Sequence, residues 1–248
     1  MAKKFSTALL ALILFSPLLA AAVPGLSLSL GPYLGSYKPS LKTFNNQVLL
    51  YEPRPAWGSA AEFGLQAKAG LPLVGLGAGI NLGRWSHSDQ WSTTAGPGGI
   101  YTLTNKYQII LYPLEAFADY SLPIIPMILK GRAGGALGIA WATFKSDSRR
   151  VVTTTGVEDQ HNYFTARGST SYFGLNLGLD LVAIPKFTIG ADLGYRLGEI
   201  EQLEVKESNN PSDIGTLVQY YDHIRSQVLP LPLELNGLYA RLMARYHF

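Results

Sequence analysis

The sequence predicts an all-β protein, specifically an antiparallel, up-and-down transmembrane β-barrel of eight strands. Eight stretches alternate between apolar residues and small or polar residues, the connections between them alternate between short and long, and the last stretch ends in Phe248. Alternation with a period of two is typical of strands that have two different faces. Because lipid offers no partner to unpaired backbone groups, only helices and closed barrels can cross a membrane.

The composition also favours a barrel that faces lipid. The 248 residues contain 26 Gly and no Cys, and only 15% of them are charged. This length suits a single all-β domain. The absence of Cys excludes a disulfide framework and thiolate metal sites. Soluble domains usually carry about a quarter charged residues, which cover their surface, and a lipid-facing wall does not need them.

Residues 1–22 have the pattern of a secretory signal peptide. Lys3 and Lys4 precede a short apolar run, and three alanines ending at Ala22 offer a cleavage site. We expect residues 23–248 to form the barrel domain. The alternative is an uncleaved anchor, but the run is shorter than the ~20 residues of a spanning helix. Losing two lysines brings 20 bases close to 17 acids, so no nucleic-acid binding is expected.

Each predicted strand is long enough to cross a bilayer at a tilt, which takes about 9–11 residues. In the stretch from Phe173 to Leu181, every odd position is apolar and every even position is Gly, Asn or Asp. Pro113 interrupts the fourth strand, where a bulge or an edge irregularity is expected. The predicted strands are 25–37, 57–69, 74–85, 106–120, 127–144, 169–183, 187–198 and 235–248.

The connections after the second, fourth and sixth strands are short, at 70–73, 121–126 and 184–186, and the others are long. Outer-membrane barrels have short periplasmic turns and long outer loops. The pattern therefore predicts two periplasmic termini and four outer loops. A barrel of ten strands stays open if the segment from Gln47 to Glu52 forms an extra hairpin.

The composition of the two faces predicts which one meets lipid. The apolar face carries Leu, Ile, Ala and Phe, whereas the polar face carries mostly Gly, Ser and Asn. A soluble barrel of the lipocalin type has the reverse arrangement. Outward aromatic residues should form girdles at the two rims, although aromatic residues are also simply common in strands. The periplasmic set is Tyr120, Phe187, Tyr246 and Phe248, and the outer set is Tyr112, Trp141, Phe173 and Tyr195.

The last strand places Leu242, Ala244, Tyr246 and Phe248 at alternate positions. It resembles the C-terminal strand of bacterial outer-membrane proteins, which the barrel-assembly machinery reads. Strand count and loop order extend the resemblance loosely to the eight-stranded barrels of the OmpA transmembrane domain, OmpX and OmpW families, and no motif selects one of them. The resemblance implies that the protein resides in the bacterial outer membrane. It also implies that Leu242, Tyr246 and Phe248 form an assembly signal.

The polar face carries charges of both signs, which the alternation directs into the lumen. Buried charges are costly unless they are paired, and an eight-stranded interior is just wide enough for side chains to fill. We therefore predict an ion-pair network that fills the lumen, with a narrow pathway or gate as the alternative. The acids are Glu62, Glu115, Asp119, Asp180 and Asp192, and the bases are Lys68, Lys130, Arg132, Arg196, Arg241 and Arg245.

The predicted turns give an expected register for these charges. The turn at 121–126 would bring Glu115 opposite Arg132 and Asp119 diagonal to Lys130. The last two strands are neighbours in the predicted barrel, so Asp192 is expected to meet Arg241 or Arg245.

No catalytic residue, metal ligand or cofactor is predicted, and we expect a protein that is not an enzyme. None of the four histidines belongs to an HExxH pair. His87 beside two serines, or His161, would suit a lipid-modifying enzyme. A catalytic base, however, needs a third group that orients it, and the sequence indicates none.

Function is expected in the outer loops, because binding residues concentrate on loops carried by a rigid scaffold. The third loop holds Lys145, Arg149, Arg150 and Arg167, which would contact lipopolysaccharide phosphates or simply be solvated. The acidic fourth loop would be a partner or cation surface, or a soluble cap. Three functions stay open: a structural or interaction barrel, a narrow channel for small or apolar solutes, and a lipid-modifying enzyme.

Overall fold

Eight long antiparallel strands form a closed ring in the computed structural model, which describes residues 25–48, 57–71, 73–184, 186–222 and 227–248. Each strand pairs with its chain neighbours, and the last pairs with the first. The predicted eight-stranded, up-and-down barrel is confirmed. The wall strands are β1 (Ser27–Pro39), β2 (Ala60–Leu71), β3 (Leu76–Ala95), β4 (Tyr101–Ile125), β5 (Leu129–Val152), β6 (Glu158–Ile184), β7 (Phe187–Leu197) and β13 (Gly237–His247).

Two predictions fall on residues that are not fully described. The signal peptide, 1–22, lies outside the described residues and stays a prediction. Of the segment considered for an extra hairpin, only Gln47 and Val48 are described, and they end a helical turn at Phe44–Val48. No helix in the described residues has the length and apolarity to cross a bilayer.

Four wall strands continue well beyond their predicted outer ends. β3 to β6 have 20, 25, 24 and 27 residues, and their outer turns are confined to 96–100 and 153–157. The second and third predicted outer loops are therefore mostly strand. The sequence signal fades there because neither face meets lipid, while the backbone ladder continues.

Of the two alternatives expected at Pro113, the bulge is absent and an irregularity of the ladder is present. Pro113 lies opposite Ala140 without a register shift, and the irregularity of this strand pair falls between Pro123 and Ile125 instead. On its other side, the ladder to β3 omits the positions between the pairs Leu82–Leu114 and Trp85–Leu111. Since proline has no N–H to donate, a gap in the ladder accommodates it without an extra residue.

The outer surface of the wall is apolar. Leu34, Leu137, Leu177 and Leu242 are 63 to 69% exposed, although side chains of this kind are normally buried in water-soluble proteins. Over the part of the wall that meets lipid, apolar side chains therefore face outward and charged side chains face the lumen. Phe187, one of the eight aromatic residues predicted at the rims, is partly buried. The other seven are exposed on the same face: Tyr112, Tyr120, Trp141, Phe173, Tyr195, Tyr246 and Phe248.

Above this band the strands rise into an extension whose interior is apolar. Two outer connections fold into it, and their described residues, 40–48 with 57–59 and 198–222 with 227–236, are called the outer cap. The cap contains a helical turn at Phe44–Val48 and a 3-10 turn at Pro211–Asp213. Its short strands are β8 (Glu199–Ile200), β9 (Glu204–Ser208), β10 (Gln219–Asp222), β11 (Gln227–Pro230) and β12 (Leu233–Glu234).

Glycines on the inward face make room for large side chains from neighbouring strands. A Cβ at Gly138 would lie 2.4 Å from the Tyr172 ring, and one at Gly194 would lie 2.3 Å from the Tyr239 ring. Both distances are far below a van der Waals contact. The high glycine content therefore lets a narrow barrel hold tyrosine and arginine side chains inside.

Candidate functional site

Four charged side chains meet at mid-height in the lumen, and they are called the upper charge cluster. Arg196 donates to Glu62 at 2.8 and 3.0 Å and to Glu115 at 2.8 Å. Arg241 donates to the same two carboxylates at 2.7 and 2.9 Å. All four residues are buried. Two acids and two bases balance, and bonds of this charge-assisted kind are the strongest that proteins make.

A second set, the lower charge cluster, lies towards the periplasmic end. Arg132 contacts Asp192 at 2.7 Å, Asp180 at 2.9 Å and Asp119 at 3.5 Å. Lys68 donates to Asp119 at 2.6 Å, and Arg245 pairs with Asp180. Three acids therefore balance three bases.

Two buried amides join the clusters into one network. Asn81 donates to Glu115 at 3.0 Å and accepts from Gln66 at 2.9 Å, and Gln66 in turn accepts from Arg245 at 3.3 Å. These amides face inward by the same alternation as the charges. They were missed because the sequence prediction followed charged residues only.

Ten of the eleven predicted lumen charges belong to the two clusters, but the predicted register is wrong. Glu115 pairs in register with Gly138, and its charged partners reach it across the lumen from β7 and β13. The turn lies at 126–128, not at 121–126, so every partner on β5 is displaced.

Of two further expectations about partners, one is confirmed in the ladder and one is corrected. Asp192 lies opposite Arg241 in the ladder, as expected, and its carboxylate accepts a hydrogen bond from Arg132, which lies two strands away on β5. Asp119 bonds to Lys68 and Arg132, while Lys130 lines the periplasmic mouth instead. Gly178 lies between Arg132 and Asp192 in the ladder and has no side chain to separate them, so charged partners are found two strands apart.

A layer of tyrosine rings covers the upper charge cluster. The Arg196 guanidinium lies 4.5 Å from the ring centre of Tyr37, and that of Arg241 lies 4.6 Å from Tyr33 and 4.2 Å from Tyr239. Such cation–π contacts are strongest where water is excluded. The tyrosines were not among the predicted site residues, although they occupy inward positions of their strands.

The outer cap seals the barrel above these rings. Tyr37 donates its hydroxyl proton to the Leu235 carbonyl, and Trp85 donates to the Tyr37 carbonyl at 2.9 Å. The Glu234 side chain accepts from the Thr43 backbone N–H at 2.9 Å. Around these bonds lies a buried apolar core of wall and cap residues: Leu41, Phe44, Trp57, Ile109, Leu111, Phe144, Ile200, Leu203, Leu231, Leu233 and Leu235.

The lumen spaces that described residues line are separate from one another. A cavity of about 10 Å³ lies among Gln66, Glu115, Arg132 and Arg241, which is at the limit for one water molecule. A pocket of about 210 Å³ opens at the periplasmic mouth, where Lys130 contributes to its lining. In the described residues the barrel is open to solvent at its periplasmic end and closed above it.

The bases predicted for the third outer loop lie on the strands β5 and β6. Arg149 contacts Asp147 at 3.2 Å, Arg150 contacts Asp159 at 2.9 Å, and Arg167 contacts Glu207 at 3.4 Å. Three of the four predicted bases are therefore neutralised by carboxylates. Lys145 has no ion pair among the described residues.

The histidines considered for catalysis do not form a catalytic arrangement in the described residues. His87 lies between the rings of Trp57 and Trp85, with ring centres 4.5 and 6.2 Å away. His161 lies 3.0 Å from Asp147 on the outer hairpin. No group of three or more potential metal ligands occurs in the described part of the chain.

Comparisons with known proteins found similar solved structures. No family model and no curated protein matches the chain. Similar solved structures include a major outer membrane protein from Thermus thermophilus (14% identity, 90% of this chain and 99% of that chain, TM-score 0.47). Others are the outer membrane protein OprG from Pseudomonas aeruginosa (9%, 90% and 95%, TM-score 0.46) and Neisserial surface protein A (15%, 90% and 97%, TM-score 0.41). An outer membrane protease from Escherichia coli also matches, at a TM-score of 0.24.

The closed ring, the apolar exterior and the charged interior define the class of protein. This polarity is the reverse of that in a soluble barrel and the arrangement that lipid requires. The chain is an integral β-barrel of the bacterial outer membrane, as the sequence predicts. The expectation that it is not an enzyme stays a prediction.

Proposed function

We propose that this protein is a closed structural barrel that presents its outer extension as a rigid interaction surface. The observation that carries the proposal is the double closure of the lumen. Balanced charge clusters fill it at membrane height, and an apolar cap fills it above. Opening a path would require both charge separation in a dry lumen and exposure of the cap core, and each is costly.

The rigidity of the extension supports the interaction role. β5 and β6 remain paired up to the turn at 153–157, and β9 adds to the edge of β6. Asn209 extends this edge, since its side chain accepts from the Tyr163 N–H at 3.0 Å and donates to the His161 carbonyl. A surface that is ordered beforehand loses less conformational entropy when it binds a partner.

Single-channel recording of the refolded mature chain in a planar bilayer tests the proposal. A shift of the gel band on heating first establishes that the barrel is folded. We expect a silent trace from the wild-type protein, and also from Arg241→Ala, because the tyrosine layer and the cap remain above the substitution. A steady conductance in the wild-type protein would contradict the proposal and favour the narrow channel. Conductance in Arg241→Ala alone would identify the clusters as the barrier.

A further inference from the structure

Three bases on the outer wall lie just above the apolar band and lack carboxylate partners among the described residues. Arg84, Lys106 and Lys145 point outward from β3, β4 and β5, and no ion pair joins them to a described residue. Ser88, Gln108 and Thr143 occupy outward positions between and beside them. We call these six residues the basic wall patch.

Arg84 marks the lower end of the patch. It lies opposite Phe63 in the ladder, with its guanidinium carbon 5.9 Å from that ring centre. Its Nε is buried and has no hydrogen-bond partner in the described residues. Below it the outward residues of β3 are Leu82 and Ile80, whereas above it they are serines and Gln90. Arg84 therefore lies at the boundary between lipid tails and the polar headgroup region.

Lys106 and Lys145 form the upper end. Lys145 pairs in register with Gln108, so Lys106 lies on the diagonal from it on the same face, and both side chains are exposed. Diagonal neighbours in a sheet are about 7–8 Å apart. The one carboxylate directly opposite Lys106 is Asp147, which is already engaged by Arg149 and His161 at 3.2 and 3.0 Å. The pair of lysines is therefore a local excess of positive charge.

We propose that the basic wall patch binds the phosphorylated sugar headgroup of an outer-leaflet glycolipid. Arg84 contacts phosphate at the membrane boundary, and Lys106 with Lys145 contacts phosphate farther out. Hydroxyl and amide side chains between them suit sugar hydroxyls. This inference rests on the proposed interaction role and specifies its ligand. It also moves the expected lipid contact away from the three arginines predicted for the third outer loop, which are neutralised, to the basic wall patch.

Physical chemistry supports this occupant over a soluble partner. The patch continues directly from the lipid-facing band, so the headgroup of a lipid whose chains pack against this band already lies beside the patch. Arginine and lysine bind phosphate through charge-assisted hydrogen bonds. A basic side chain near an anionic membrane surface contributes about fivefold in binding. Arg84 forms no ion pair with a described residue, so its guanidinium charge is not neutralised by the protein at the upper end of the apolar band.

The test is binding of a phosphorylated glycolipid to the folded barrel in mild detergent, followed by native mass spectrometry. The probes are a lipopolysaccharide that carries phosphates on both its lipid A and its inner core sugars, and the same lipid after enzymatic removal of its phosphates. The variants are Arg84→Gln and the double variant Lys106→Gln with Lys145→Gln. Arg150→Gln is the matched control, because it removes an equal charge from the same strand at a position paired with Asp159, whereas the carboxylate that faces Lys106 is Asp147. Each protein is first checked by its gel shift on heating.

We expect the wild-type protein to prefer the phosphorylated lipid, with about fivefold weaker binding for each unpaired base removed and little change in the control. Equal binding of the two lipids by the wild-type protein would overturn the inference. An equal loss in Arg150→Gln would reduce it to a general charge effect and overturn it as well. If Arg84→Gln does not fold, the exposed lysine double variant decides alone. Because bilayer conductance is measured separately, failure of this inference is distinguishable from failure of the closed-barrel proposal.

Discussion

The two halves of the barrel interior are built on the same strands and the same alternation, yet their chemistry is opposite. On β4, the inward residues at membrane height include Glu115 and Asp119, whereas in the extension they include Ile109 and Leu111. At membrane height, lipid surrounds the wall and apolar residues gain nothing by turning inward. Above it, water surrounds the wall and the hydrophobic effect drives apolar residues inside. What lies outside the wall therefore determines what can stabilise the interior.

The largest effect is expected from breaking the charge network at membrane height. Arg241→Met leaves Glu62 and Glu115 with Arg196 alone, so one buried charge lacks a counter-charge. We expect a loss of about 3–5 kcal/mol of unfolding free energy. Urea unfolding of the barrel in lipid vesicles, followed by tryptophan fluorescence, measures this loss.

A charge-balanced variant sharpens the same test. Glu62→Gln combined with Arg241→Met leaves Glu115 paired with Arg196, which still donates to it at 2.8 Å. The double variant should lose less than the sum of the two single variants, because no charge is left unpaired. Strict additivity would mean that the network is not electrostatically coupled.

A smaller and more local effect is expected in the extension. Phe44→Ala removes a buried ring that packs 4.9 Å from Trp57 and 5.7 Å from Phe144, between ring centres. Such truncations cost about 3 kcal/mol or more, but here the loss falls on the cap. The gel shift on heating should persist while the cap becomes sensitive to protease. Lys42→Ala, at an exposed position beside it, is the control and should leave the cap resistant.

The smallest effect concerns the pH dependence of the cap. Burial, and then the charges of Glu234 and Glu201, raise the pKa of Glu199 above its ordinary value of 4.5. The folded cap therefore holds this proton more tightly than the unfolded cap, and Glu199 lowers cap stability as pH rises from about 4.5 through the folded-state pKa. Glu199→Gln should remove this loss of cap stability. We expect the effect to be only about 0.5 kcal/mol, because the carboxyl group is largely solvated.

Hydrogen exchange of the cap amides at several pH values, corrected for intrinsic rates, measures this difference. The control is Glu207→Gln, which removes the same charge from an exposed pair with Arg167. Equal pH dependence in the wild-type protein and Glu199→Gln would contradict the assignment.

Most of the strands of the barrel wall could be predicted from the local alternation of the sequence. Each of the eight strands overlaps its predicted range, because a lipid-facing strand must alternate at every second residue. The same rule indicated which charges face the lumen. The alternation could not indicate where the extended strands end, because the residues from Ser86 to Thr94 have no apolar face. Only the hydrogen-bonded ladder to β4 identifies them as strand.

Tertiary structure decided which charged side chains pair and how the cap closes the lumen. The pairs of Arg196 with Glu62 and of Arg245 with Asp180 join strands that are distant in sequence, and only the size and register of the closed ring bring them together. The cap likewise joins Leu41 and Phe44 to Leu233 and Leu235 in one core. By itself the sequence determined the strands, their faces and the charges of the lumen, because these follow from each residue and its near neighbours. The tertiary structure alone decided which charges pair and what seals the barrel, because both depend on distances across a closed ring.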